Sequence, residues 1–217
     1  MFLRSISFRE MIEALKAMVC PAKDRNGAPP PYTRHRVAIC IGHSRPGDQG
    51  AVSAGGITEW DFNQAIGRKL VELLDAERIV GVLIDTYHGA SYGAAMRWLG
   101  GEVRHVAADA AIELHFNAAG PTAHGFEYLH WAGSAAGERL ANAFRASHRE
   151  TYPAARDRGI KALGRGARGA EFLRLTPCPA IIAEPFFGSN QTEWAAYSSD
   201  SDLLAEVYCK ALTRYFA

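Results

Sequence analysis

The chain has 217 residues, 48% of them hydrophobic, which is enough to bury a full core and points to one principal domain. Its 24 basic and 23 acidic residues leave a net charge of +1, so the overall balance does not call for a nucleic-acid partner. No apolar run reaches the roughly 18 residues of a membrane span, and the 4 cysteines form neither a C-x-x-C pair nor a dense framework, so they read as free thiols.

Ser7-Phe8-Arg9-Glu10 fits the S-x-x-E capping box, and Phe8, Met11, Ile12, Leu15 and Val19 recur at helical spacing. The pattern predicts an amphipathic helix over residues 7–19. Arg9, Glu10, Glu13 and Lys16 interrupt the continuous apolar stretch that a cleaved signal peptide needs, so synthesis in the cytoplasm without such a signal is expected. Residues 21–36 contain Pro29-Pro30-Pro31 and read as a linker, because proline lacks the backbone donor. The expected organisation is an N-terminal extension over 1–35 and a main domain over 36–217.

The apolar run from Val37 to Ile41 breaks at Gly42 and hands His43 to a loop containing Pro46, Gly47 and Gly50. A buried parallel strand that presents a functional group ends in this way. Thr58 is a plausible N-cap for a helix from Glu59 to about residue 76, with Phe62, Ile66, Leu70, Leu73 and Leu74 on one face. A first-turn glutamate also has an ordinary explanation, its favourable place near the positive helix end. Residues 79–85 form a second apolar strand. Gly89-Ala90-Ser91-Tyr92-Gly93 then matches the G-x-S-x-G nucleophile elbow, with a helical pattern over 94–99 behind it. A serine hydrolase would need an acid and a histidine downstream, for which Asp109 with His124 or His130 are nominal candidates.

Residues 110–116 alternate, with Ile112, Leu114 and Phe116 on one side and Ala111, Glu113 and His115 on the other. A strand over 125–130 and a helix over 135–149 follow, the helix carrying Leu140, Phe144 and His148 on one stripe. Residues 158–169 mix glycines with basic side chains and read as an exposed loop. A further strand ends in Glu184, and a final helix spans about 200–215 with Leu203, Leu204, Val207, Leu212 and Tyr215 as its buried stripe. Strands alternating with helices predict an α/β fold, a mostly parallel twisted sheet with helices on both faces and the helical extension in front. Two histidines and a carboxylate, as in His43, His115 and Glu59, are a known ligand set for catalytic zinc.

Four separated segments resemble, in order, the zinc-dependent N-acetylmuramoyl-L-alanine amidases of bacterial cell separation and phage endolysins. Gly42-His43 with Pro46-Gly47-Asp48-Gln49-Gly50-Ala51 is similar to that family's glycine-rich histidine segment, and Thr58-Glu59 through Asn63 to its glutamate-led helix. Ile112-Glu113-Leu114-His115-Phe116-Asn117-Ala118, followed by Gly125-Phe126-Glu127-Tyr128, resembles the second histidine strand and the strand after it. Arg158-Gly159-Ile160-Lys161 and then Ala183-Glu184-Pro185-Phe186-Phe187-Gly188-Ser189-Asn190 resemble the terminal glutamate motif. The resemblance runs from about residue 36 to the C-terminus and finds no counterpart for the first 35.

The resemblance implies that His43, Glu59 and His115 hold one Zn²⁺ with a position left open, and that Glu184 is the catalytic acid and base. It implies peptidoglycan or muropeptides as substrate, cut at the amide between N-acetylmuramic acid and L-alanine, with Asn117 and Asn190 as candidate substrate contacts. The enzyme would reach the wall after release, as phage lysins do, or act on imported wall fragments. Two alternatives stand beside it: a zinc amidohydrolase of small acylated amino acids, and the serine hydrolase built on Ser91.

Overall fold

The computed structural model describes residues 34–217, so the expected helix over 7–19 and most of the linker lie outside the described residues. Strands β1 (Arg36–Ile41), β2 (Val80–Ile84), β3 (Ala110–Leu114), β4 (Phe126–Trp131), β5 (Asp157–Leu163) and β6 (Ala180–Glu184) form a sheet in the order β2-β1-β3-β6-β4-β5. Between them run helices α1 (Glu59–Ala76), α2 (Tyr92–His105), α3 (Ala135–Thr151) and α4 (Ala170–Leu175), and the chain closes with α5 (Gln191–Ser198) and α6 (Ser201–Phe216). Strands β2, β1, β3 and β6 are parallel; β4 runs antiparallel to β6 and parallel to β5. The expected mostly parallel α/β sheet is therefore present.

From Val37 to Ile41 β1 is apolar without interruption because both of its faces are covered. Val37, Ile39 and Ile41 join Phe62, Ile66 and Leu70 of α1, Leu140 and Phe144 of α3, and Leu204, Val207 and Leu212 of α6 on one face. Ala38 and Cys40 meet Ala95, Met96, Leu99 and Val103 of α2 and Phe172 and Leu173 of α4 on the other. Thr58 caps α1 by accepting the Asp61 N–H, as its position predicted.

The expected loop over 158–169 is corrected: its first half is β5, whose register on β4 slips between Phe126 and Tyr128. β5 lies at the sheet edge with no fully buried residue, so its charges and Gly159 serve a half-solvated strand and mask the alternation that would reveal it. The short helices α4 and α5 carry too few turns to register as a periodic pattern.

The order of connections positions the site. From β1 the chain crosses over α1 to β2 on one side, then over α2 to β3 on the other side of β1. The loops after β1 and β3 therefore diverge at a topological switch point, and the crevice between them lies at the carboxyl ends of the strands.

Beneath the sheet, His148 is fully buried, bonded through Nδ1 to the Tyr128 hydroxyl at 2.8 Å and through Nε2 to the Tyr197 hydroxyl at 2.7 Å, and stacked on Phe126. Burial pushes its pKa down to about 3, against roughly 6.5 in an unfolded chain. Between those values the unfolded state binds a proton that the native state refuses. The stability due to the neutral ring is complete above about pH 6.5 and is lost as pH falls toward about 3, at most about 1.4 kcal/mol per pH unit. Denaturant titrations between pH 7 and 4 should show this acid-side loss, and His148→Gln should reduce the steepness by about one proton; an unchanged slope would remove His148 as its source.

Candidate metal centre

Three side chains converge at the switch point. His43 follows β1, His115 follows β3, and Glu59 opens α1; one ligand atom from each lies within 4.8 Å of the others. Glu59 is only 3% exposed. Its Oε1 accepts from the Phe116 N–H at 3.2 Å and lies 2.8 Å from His115 Nδ1; its Oε2 accepts from the Ala51 N–H at 3.1 Å and lies 3.3 Å from His43 Nε2. Burial alone would raise the carboxyl pKa, yet the hydrogen bonds from His115 and His43 hold it well below the usual carboxylate range. For both histidines burial disfavours the charged ring and is outweighed: by Glu59 and Asp48 at His43, and by Glu113 and Glu59 at His115, so both pKa values rise. Two imidazoles inside a ring of carboxylates suit a bound cation, which would take the place of their protons.

Backbone geometry aims the rings. His43 sits in the left-handed region at φ 60°, and Asp48 Oδ1 meets its Nδ1 at 2.9 Å. Gly42 lies against the His115 ring, where a Cβ would collide with Cε1 and both ring nitrogens. Gly50, at φ 73°, would bring a Cβ to 2.6 Å from His43 Cδ2 and 2.7 Å from Glu59 Oε2. Neither position tolerates a side chain, which explains the glycines around His43.

The cluster forms one wall of a cleft of about 700 Å³ that is also lined by Arg45, Tyr92, Asn117, Glu127, Arg168 and Glu184. The β3–β6 register pairs Leu114 with Ala183, so His115 and Glu184 leave adjacent strand ends together. Glu184 Oε2 is buried without a hydrogen-bond partner among the described residues. Burial raises the Glu184 pKa to about 8; the histidines oppose this, and Glu59 and Glu127 add to it. Glu127, directly opposite Glu184 across the β4–β6 pair, is held by Arg158 Nε at 3.0 Å and Asn117 Nδ2 at 2.9 Å.

His43, Glu59, His115, Glu184 and Asn117 thus share one cleft. Asn190 is committed elsewhere: its Oδ1 caps α5 through the Thr192 and Glu193 N–H groups, and its Nδ2 donates to the Ala123 carbonyl. Ser91 is in extended conformation and its hydroxyl caps α2 by accepting the Ala94 N–H, so it lacks the elbow's strain. Asp109 binds the Arg36 N–H at the opposite end of the sheet, His124 bonds Thr122, and His130 bonds Trp131. No triad assembles around Ser91 from these candidates. The reading of single residues missed Asp48, Glu113 and Glu127; an acid flanked by apolar residues in a strand, as in Ile112-Glu113-Leu114, was the available signal.

Residues 37–214 match the family described as N-acetylmuramoyl-L-alanine amidase. An N-acetylmuramoyl-L-alanine amidase from Clostridium difficile 630 is similar in structure at a TM-score of 0.71 and 27% identity, covering 84% of this chain and 97% of that one. The catalytic domain of CwlV, an N-acetylmuramoyl-L-alanine amidase from Bacillus (Paenibacillus) polymyxa var. colistinus, gives 0.70 and 23%, with coverage of 84% and 98%. The catalytic domain of the CD27L endolysin, which targets Clostridia difficile, gives 0.70 and 17%, with coverage of 83% and 96%. The last two likenesses speak to the fold alone. No curated protein matches the chain.

The glycine cradle yields a test within the site. Gly42→Ala should lower the melting temperature while leaving the protein folded, and should weaken divalent-metal binding by roughly tenfold or more, since it displaces the His115 ring. Chelator competition measures it; undiminished affinity would show that the ring is not confined there.

Proposed function

The chain belongs to the N-acetylmuramoyl-L-alanine amidase family, and from that premise we propose that it hydrolyses peptidoglycan with a zinc ion held by His43, Glu59 and His115 and with Glu184 as acid and base. The observation that carries this reading is the convergence of three donors beside the half-buried Glu184, whose Oε2 is buried without a partner among the described residues.

The residues fit zinc by donor type, two imidazoles and one carboxylate. They also fit by proximity, since one donor atom from each lies within 4.8 Å of the others. Bound there, zinc supplies Lewis acidity, polarising the amide carbonyl and lowering the pKa of water toward about 7. Asp48 and Glu59 orient His43, and the Ala51 and Phe116 N–H groups fix the Glu59 carboxylate. Glu184 takes a proton from the attacking water at its unpartnered oxygen as the C–O bond forms. It returns that proton to the amide nitrogen as the C–N bond breaks, releasing the L-alanine amine and the muramyl lactate carboxylate.

The substrate class is peptidoglycan or soluble muropeptides, and Asn117 is proposed as part of the wall against which substrate lies, its amide fixed by Glu127. Membership of the amidase family supports action on the cell wall after release; action on imported fragments is the other route. No helix among the described residues is long and apolar enough to cross a membrane.

Variants separate the metal's role from the proton's. Glu184→Gln should keep zinc content and fold while turnover falls by roughly 10²-fold or more. His115→Ala should lose zinc and activity together. The assay is release of free L-alanine amino termini from purified peptidoglycan, with zinc measured on the same preparations. Near wild-type turnover of Glu184→Gln at full zinc occupancy removes Glu184 from the mechanism; cleavage of small acylated amino acids without action on peptidoglycan transfers the assignment to the alternative substrate class.

A further inference from the structure

A second buried carboxylate stands behind the metal cluster and is not used by the chemistry described above. Glu113 lies within β3, 3% exposed, two residues before His115 on the same face of the strand. An ionisable side chain inside a sheet covered on both faces is costly unless its oxygens are occupied. Both are: Oε1 accepts from the Tyr87 hydroxyl at 3.0 Å, and Oε2 lies 3.4 Å from His115 Nε2. The opposite ring nitrogen, Nδ1, faces Glu59 at 2.8 Å.

We propose that Glu113, backed by Tyr87, is a positioning residue that holds the Nε2 proton of His115 and so commits Nδ1 to the metal. The inference rests on the zinc reading of the site. A neutral imidazole offers one lone pair, so the nitrogen turned to a metal must be the one without a proton, and an acceptor at the other nitrogen selects that tautomer. His43 is arranged the same way with its nitrogens exchanged: Nε2 faces Glu59 at 3.3 Å and Nδ1 meets Asp48 at 2.9 Å. Each histidine is thus gripped between the cluster and an outer carboxylate.

The two grips differ in setting. Asp48 belongs to the exposed side of the loop, its side chain 36% exposed, whereas the Glu113 side chain is 5% exposed and sealed in the sheet. Tyr87 ties the arrangement to the other histidine, because its N–H donates to the Ser44 carbonyl, adjacent to His43, at 3.0 Å. Tyr87, Glu113, His115 and the Ser44 turn therefore form one connected frame around the cleft floor. Gly42 completes it by leaving the His115 ring no competing side chain on its open face.

The test measures zinc affinity by competition with a chromophoric chelator for wild type, Glu113→Gln and Tyr87→Phe, with thermal melts and visible spectra of the cobalt-substituted proteins. Glu113→Gln should stay folded and bind zinc about 10- to 100-fold more weakly, with a cobalt spectrum of unchanged coordination number. Tyr87→Phe should shift affinity in the same direction by a smaller factor. Affinity within about twofold of wild type in a folded Glu113→Gln protein would overturn the proposal, as would a cobalt spectrum showing one ligand fewer, which would make Glu113 a ligand. If Glu113→Gln does not fold, Tyr87→Phe decides: weakened binding supports the frame and unchanged binding overturns it. Absence of zinc binding by the wild type would instead defeat the metal reading itself.

Discussion

A carboxylate buried at the first turn of α1 is the constraint around which the site is built. Glu59 is 3% exposed, and a charge so removed from water is tolerable only when its oxygens are fully occupied. Two backbone N–H groups from two different loops and two imidazoles meet that demand. The loop after β1 must therefore bend through Gly50 to bring the Ala51 N–H to Glu59, and the chain after β3 must bring both Phe116 and His115 there. These requirements fix the cleft: the strand-order reversal separates the two loops, and the α1 terminus projects Glu59 into the gap.

The rest of the cleft follows from alternation along the strands. Residues that place His115 and Glu113 on the α2 and α4 face of β3 also place Glu184 on that face of β6 and Glu127 on that face of β4. A parallel sheet covered on both faces ordinarily rejects such charges, and here they are answered by specific partners: Tyr87 for Glu113, Arg158 and Asn117 for Glu127, the imidazoles for Glu59. Glu184 is the exception. Its Oε2 is buried without a hydrogen-bond partner among the described residues, and burial raises its pKa to about 8.

Much of this was legible in the chain, and the parts that were not have physical reasons. β1, β3 and β6 lie inside the sheet and appear as short, largely apolar segments broken only by Arg36, Glu113 and Glu184, and α1 announces itself through Thr58 and its leucine stripe. β5 could not be read because an edge strand bearing arginine, lysine and glycine looks like a solvated loop. His43, Glu59 and His115 were identifiable as residue types and through family resemblance, but their meeting depends on a crossover between elements 56 residues apart in the case of Glu59 and His115. Asn190 illustrates the converse: a polar residue next to a motif whose side chain is absorbed by capping α5. The paired grip of Asp48 and Glu113 on the histidines depends on which ring nitrogen faces which carboxylate, a property no spacing encodes.

The central claim is that one zinc ion is held at the switch point by His43, Glu59 and His115, and anomalous diffraction at the zinc absorption edge tests it most directly. The account predicts one strong anomalous peak at about 2.0 to 2.2 Å from His43 Nε2, His115 Nδ1 and a Glu59 oxygen, with Glu113 outside bonding distance behind His115. A zinc-loaded crystal whose peak lay away from this cluster, or that showed His115 bound through Nε2 with Glu113 as a further ligand, would contradict it.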